Sequence, residues 1–376
     1  MNHDLMVEKI KTICFVVPEY RRDTPTHFNH VYDLVREVSK LMDIYVYIER
    51  AEGVIDFLGA KEVLVAKSKN KFLSFMESIK IFYCLRRFGV SDFYVHYSFR
   101  SACAALLVTK AFGGRVFYWN CGEPWKYKRN FFREFFERLV YKMIDYLVTG
   151  TESLKENYAA EYGISKEKIK VMPNWIDIEK FKVQSLKLQV DELRNSLNLG
   201  VERKIVLFAH RLSKRKGAHY LAEIIKALKN EKAVFIIIGD GSERRNVKLK
   251  IENWKLGDRV RWLGWVPNSD ISLYYALADV FIMPSDEEGF PRVLLEAMVM
   301  GKPFVAFDVG GVREIIPPEC QEFVVAGGSV EQFVKKVKTL LMLDSGGKEP
   351  LQRAELVWTE QFDVKKIALA FQQLFI

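Results

Sequence analysis

The segment that most restricts this chain is Pro284-Ser285-Asp286-Glu287-Glu288-Gly289-Phe290-Pro291-Arg292-Val293-Leu294-Leu295-Glu296-Ala297-Met298, which lies between two apolar runs, Asp279–Met283 and Pro303–Phe307. Short continuous apolar runs bounded by turn residues predict strands buried on both faces, as in a parallel sheet. Strand, loop, helix and strand then follow in order, and the loop leaves the carboxyl end of the sheet, where open α/β folds bind ligands. The pattern places Glu288 on a glycine turn at the mouth of the helix and Glu296 about two turns inside it. A helix opening offers free N–H groups and the positive end of a dipole, which suit a phosphate. Two carboxylates beside an anion would repel it, so they are expected to hold hydroxyls instead. The ligand predicted by the segment carries both phosphate and many hydroxyl groups.

Other motifs extend the pattern: Ile236-Ile237-Ile238-Gly239-Asp240-Gly241-Ser242-Glu243, Arg259-Val260-Arg261-Trp262-Leu263-Gly264-Trp265-Val266-Pro267 and Gly310-Gly311-Val312-Arg313-Glu314. Arg211 and Lys216-Gly217 follow the strand Ile205–Phe208. With Glu288 and Glu296 set in EGFPRVLLEAM, this series resembles the retaining glycosyltransferases of family GT4, densely from about Lys204 to Val325 and thinly before it. The resemblance implies an α/β protein of the GT-B fold, with two facing Rossmann-like domains, parallel sheets and an interdomain cleft. It also implies a nucleotide-sugar donor. By that carry-over Arg211 and Lys216 neutralise the donor diphosphate, where preorganised positive charge lowers the barrier to leaving-group departure. Glu288 contacts the donor sugar and steadies the developing cation, and Glu296 accepts from the two ribose hydroxyls. Gly289 and Phe290 offer backbone amides, and Pro291 suits a helix start. Gly241, Val266, Arg292 and Val293 complete the donor-binding set. Read without the resemblance, Lys214 to Lys216 is a solvated basic turn, and Gly239-Asp240-Gly241 is a turn opening a helix rather than a dinucleotide fingerprint.

The bulk of the chain sets bounds on this reading. At 376 residues there is room for two domains. The first half alternates strands (Thr12–Val17, Asp43–Ile48, Phe93–His96, Arg115–Trp119, Tyr146–Thr149) with helical stretches, a doubly wound pattern. A polar segment follows, so the expected domains are 1–175, a linker at 176–203 and 204–360. Residues 361–376 are expected to form a helix crossing back to the first domain, as the resemblance suggests. Nothing approaches the roughly 18–20 apolar residues of a membrane span, and the first residues lack a signal-peptide pattern. Five scattered cysteines without a CxxC pair suit a reducing compartment. The expected location is cytoplasmic, with the inner face of the cell membrane as a variant. The formal charge of +9 fits anionic metabolites or lipid, and no nucleic-acid motif accompanies it. No DxD pair or histidine cluster calls for a metal, so no cofactor is expected.

The first domain departs from the GT4 pattern. Its acceptor loop carries Pro25 and Thr26 where paired glycines are usual, and Asn120 or Cys121 stands where a histidine is often found. The acceptor, the general base, the nucleobase and the sugar therefore stay open. A glycan or lipid-linked acceptor, in surface polysaccharide or glycolipid synthesis, is the favoured expectation for a hexosyl transfer. A nucleotide-sugar epimerase, a phosphorylase and a catalytically impaired nucleotide-sugar-binding protein are the rivals. The helical face Phe131, Phe132, Phe135, Phe136, Leu139 and Met143 lies opposite mixed charges, which favours packing into the core. Peripheral contact with an anionic membrane is the second reading of that region, including Trp125 to Arg129 and Lys71 to Phe88.

Overall fold

The computed structural model describes residues 11–21, 29–56, 59–181 and 186–376. The chain forms two compact units, one of residues 1–173 with 364–376 and one of residues 174–363. The acceptor-loop stretch that carries Pro25, Thr26 and His27 lies outside the described residues.

The first unit is built on seven strands: β1 (Thr12–Val17), β2 (Asp43–Ile48), β3 (Glu62–Val65), β4 (Asp92–His96), β5 (Arg115–Trp119), β6 (Tyr146–Thr149) and β7 (Ile169–Val171). They lie in the order β3-β2-β1-β4-β5-β6-β7, and every pairing is parallel. Parallel strands need crossover connections, and the sequence supplies helices for them. These are α1 (Asn29–Val38), α2 (Lys71–Arg87), α3 (Phe99–Phe112), α4 (Phe131–Met143) and α5 (Glu152–Tyr162). Asn70, Ser98, Asn130 and Thr151 cap the last four by accepting first-turn N–H groups. The C-terminal helix Val364–Gln373 belongs to this unit and packs against α1.

The segment expected as a linker is part of the second unit and contains helix α6 (Leu186–Ser196), which packs against a helix downstream. From Lys187 to Ser196 only Val190, Leu193 and Arg194 are partly covered, and the polarity of the rest made the segment look like a connector. Six strands follow: β8 (Lys204–Ala209), β9 (Ala233–Ile238), β10 (Val260–Gly264), β11 (Val280–Met283), β12 (Phe304–Asp308) and β13 (Val324–Ala326). They are ordered β10-β9-β8-β11-β12-β13, again all parallel. Residues Ile205–Ala209 and all of β9 are buried, as their unbroken apolar sequence requires. The strand order reverses between β8 and β11, the position at the carboxyl ends of the strands where open α/β sheets bind ligands.

The expected core face of α4 is a correction. Phe131, Phe132, Phe135, Phe136, Leu139 and Met143 are exposed, whereas Glu137, Val140 and Tyr141 face inward. Glu137 can be buried because the Arg129 guanidinium pairs with it at 2.6 Å and the Tyr162 hydroxyl donates to it at 2.7 Å. A polar trio satisfied from behind took the place the phenylalanines were expected to fill.

Candidate functional site

The site is assembled at the strand-order reversal of the second unit. The loop after β8 runs from His210 to Gly217, and its basic end Lys214–Lys216 forms a single 3-10 turn. Gly217 adopts φ +69° and ends this turn, a second 3-10 turn covers Ala218–Tyr220, and the regular helix α7 (Leu221–Ala227) begins after it. The loop after β11 lies directly on it. The N–H groups of Asp286 and Glu287 donate to the Arg215 carbonyl at 3.0 and 3.3 Å, and the Tyr220 hydroxyl donates to Asp286 at 2.9 Å. A Cβ on Gly217 would fall 1.6 Å from the Pro284 carbonyl oxygen, so only glycine allows this approach. Gly310 does the same from the next loop, where a Cβ would lie 1.6 Å from the carbonyl oxygen of Glu288.

These contacts put Glu288 in a buried position with only 5% of its surface exposed. Lys216 Nζ donates to its Oε2 at 2.7 Å, and His210 Nε2 lies 3.2 Å from its Oε1. The Arg211 N–H donates to His210 Nδ1 at 3.0 Å, which assigns the imidazole proton to Nε2 and makes His210 a neutral donor toward Glu288. Burial raises the Glu288 pKa, but the Lys216 ammonium and the His210 hydrogen bond outweigh it and hold the carboxyl well below the usual carboxylate range. Burial and the nearby Lys216 charge push His210 down from its ordinary value. Glu288 is therefore ionised at neutral pH and unsuited to donating a proton. Each of its oxygens keeps a lone pair free to accept from a ligand hydroxyl.

The His210 environment has a measurable consequence. Its folded pKa lies below its unfolded value near 6.5, so below that pH the unfolded chain binds the proton first and stability falls with pH until the folded value is passed. In His210→Gln the amide can still donate to Glu288 but does not titrate. The thermal midpoint should fall more steeply for the wild type than for the variant as pH drops below about 6.5; parallel curves would remove the imidazole from this account.

Helix α8 (Arg292–Val299) begins with Pro291 as its N-cap. Glu296 is thus a little over one turn in rather than two, because Pro291 and the Gly289-Phe290 turn stay outside the helix. Arg292 and Val293 occupy the first positions, whose N–H groups have no partner within a helix. Glu296 lies near Arg292 at 3.6 Å, and the Tyr275 hydroxyl sits 3.1 Å from both its Oε2 and the Val293 carbonyl. Burial raises the Glu296 carboxyl above its usual value, moderated by Arg292 and Tyr275. Phe290 is buried against Phe362, and its carbonyl accepts from Asn174 Nδ2 at 3.1 Å. Gly289 is held through its carbonyl by the Gly311 N–H.

Two of the proposed catalytic side chains, Lys216 and Glu288, are in direct contact. Arg211 is exposed and has no ion-pair partner among the described residues. Gly241 packs its backbone on the Leu212 carbonyl, joining the loop after β9 to the loop after β8. Val266 lies after the edge strand β10, and no described contact brings it to Glu288 or Glu296. His210 and Tyr275 were missed. His210 had a signal in its place at the carboxyl end of β8, whereas Tyr275, 21 residues before Glu296, had none. Ser285 Oγ and Arg292 Nε are buried without a hydrogen-bond partner among the described residues. Asn120 donates to the Tyr141 hydroxyl and accepts from the Gly122 N–H, so it ties its own loop to α4. Among the described residues no group of three or more His, Cys, Asp or Glu side chains is placed to hold a metal.

The comparisons agree with this architecture. Residues 28–180 match the family model Glycosyltransferase Family 4, and residues 189–354 match Glycosyl transferases group 1. Among solved structures, a glycosyltransferase from Rickettsia africae superposes with TM-score 0.80 at 20% identity, over 97% of this chain and 98% of that one. Anabaena HepE in complex with UDP and glucose gives 0.80 at 18% identity, over 97% and 99%. The chain thus has the fold of the GT-B glycosyltransferases. More particularly, its first part is similar to Glycosyltransferase Family 4 and its second part to Glycosyl transferases group 1. An uncharacterized glycosyltransferase of Methanocaldococcus jannaschii is 32% identical over 46% of this chain and 45% of its own length. The UDP-Gal:alpha-D-GlcNAc-diphosphoundecaprenol alpha-1,3-galactosyltransferase of Escherichia coli is 29% identical over 48% and 47%. The matched region spans about half the length of these curated relatives.

Proposed function

We propose that the chain is a retaining glycosyltransferase that moves a hexose from a nucleotide-diphosphate sugar to a glycan or lipid-linked acceptor. The observation that carries the reading is the buried Glu288 carboxylate, ionised between Lys216 and His210 at the strand-order reversal. Transfer breaks the bond between the anomeric carbon and a phosphate oxygen, leaving positive charge on the sugar and negative charge on the diphosphate. An ionised carboxylate that cannot give up a proton serves the first, and the cations Lys216 and Arg211 serve the second. In this reading the diphosphate charge is met by side chains rather than by a metal ion. Glu296 takes the ribose hydroxyls, with the first-turn N–H groups of α8 and the unpartnered Arg292 Nε beside it. The UDP and glucose bound by HepE, and the UDP-galactose and lipid diphosphate in the name of the Escherichia coli relative, support the donor class and a lipid-linked acceptor.

A thermal-shift screen of UDP-, GDP- and ADP-sugars, followed by product analysis with and without acceptor sugars, tests the proposal. One donor should stabilise the protein, and transfer should retain the anomeric configuration. Stabilisation by none of them would end it. Glu296→Ala should weaken binding of the selected nucleoside diphosphate about 10- to 100-fold, the range for hydrogen bonds to a charged group. Calorimetric titration reads this directly, and an unchanged affinity would move the ribose elsewhere.

A further inference from the structure

Helix α4 presents its apolar face to solvent. Phe131 is 77% exposed, Phe132 71%, Phe135 55% and Phe136 54%, and Leu139 and Met143 are exposed with them. At about 100° per residue these six fall within an arc of about 140°. The residues that hold the helix to its unit, Glu137, Val140 and Tyr141, lie on the other side. A soluble surface rarely carries so large a contiguous apolar patch without a partner.

Among the described residues, the charges around this face that lack an opposite partner are positive. Arg133 borders it on one edge, Arg138 and Lys142 on the other, and Lys128 precedes the helix. The acids of the helix are already neutralised, since Glu134 pairs with Arg138 at 3.0 Å and Glu137 with Arg129 at 2.6 Å. Lys128, Arg133 and Lys142 are exposed and have no acidic partner among the described residues. Helices α2, α3 and α4 pack side by side, and α2 adds exposed Phe72, Leu73 and Met76 with Lys71, Lys80 and Arg87.

We propose that this face seats the protein on the surface of an anionic phospholipid bilayer. Aromatic side chains enter the boundary between headgroups and acyl chains, while the rim cations meet lipid phosphates. The geometry requires an in-plane contact. At 1.5 Å per residue the 13-residue α4 is about 20 Å long, too short for a core of about 30 Å. No described helix is long and apolar enough to cross a membrane. A second copy of the chain docked on the same face would set Lys128, Arg133 and Lys142 against their own equivalents, whereas an anionic surface complements them. The inference is independent of the transfer reading and would stand if donor binding failed.

The test is flotation of the full chain with vesicles of phosphatidylcholine alone and with phosphatidylglycerol added, at low and high salt. The wild type should float with the anionic vesicles at low salt and much less at high salt. Phe131→Ser/Phe132→Ser/Phe135→Ser should lose at least about tenfold in partitioning. Lys128→Gln/Arg133→Gln/Lys142→Gln should abolish the preference for anionic lipid. All six positions are exposed, and circular dichroism with an unchanged thermal midpoint confirms folding. No flotation of the folded wild type at low salt would overturn the proposal, as would equal binding by the triple serine variant. Concentration-dependent dimerisation in ultracentrifugation that the serine variant abolishes would assign the face to a second copy instead, and would also overturn it.

Discussion

Glu288→Gln should lower transfer by about 10²–10³-fold while leaving binding of the nucleoside diphosphate nearly unchanged. Glutamine keeps the side chain's size, and its amide oxygen can still accept from Lys216 Nζ or His210 Nε2, so the loops after β8 and β11 stay joined. Only the negative charge is lost. In the proposed reaction that charge matters chiefly at the transition state, when the anomeric carbon becomes positive, so the turnover number should fall rather than the affinity. Freed from a full ion pair, Lys216 is if anything a better partner for the diphosphate. Steady-state transfer assays with calorimetric titration separate the two quantities. A glutamine variant with wild-type turnover would remove Glu288 from the chemistry.

Lys216→Met should act on stability and activity together. Methionine fills the space of the lysine stem but leaves the Glu288 carboxylate buried, with His210 as its remaining partner. Breaking a buried pair from one side costs about 3 kcal/mol, because the remaining charge is uncompensated. The sign of the pH dependence follows from the lowered Glu288 pKa. The stabilisation it brings is fully present above the ordinary carboxylate value of about 4.3 and is lost as pH falls through the lower folded value. The gap in thermal midpoint between wild type and variant should therefore be widest at neutral pH and narrow as pH falls into the carboxylate range and below. Transfer should drop about 10²–10³-fold as leaving-group charge is left unmet, and nucleoside diphosphate affinity should fall with it. This sets the variant apart from Glu288→Gln. A fully stable methionine variant would show that the 2.7 Å contact contributes nothing to the fold.

Much of the second unit was legible in the sequence because its parallel strands are buried on both faces and read as unbroken apolar runs, such as Ala233–Ile238. Glu296 was legible for a related reason, since a charged residue beside Leu294, Leu295, Ala297 and Met298 conflicts with its surroundings unless a ligand or partner answers it, whereas Glu288 was marked by its glycine turn and by the resemblance of EGFPRVLLEAM. Gly217 and Gly310 stood out only as parts of the quoted motifs, Lys216-Gly217 and Gly310-Gly311. The partner against which each turn closes was not visible, because Pro284 and Glu288 are remote in sequence.

What the sequence determined by itself was periodicity: which residues form strands, which form helices, and which polar groups interrupt them. That follows from backbone geometry, which acts over a few residues. Only the tertiary structure decided which helix faces point inward and which distant groups meet. Periodicity divides α4 into two sides but does not say which is covered, and the Arg129–Glu137–Tyr162 cluster turned the phenylalanines outward. Likewise, strand order rather than spacing brought His210 and Lys216 to Glu288, because β8 and β11 are neighbours in the sheet while lying more than seventy residues apart in the chain.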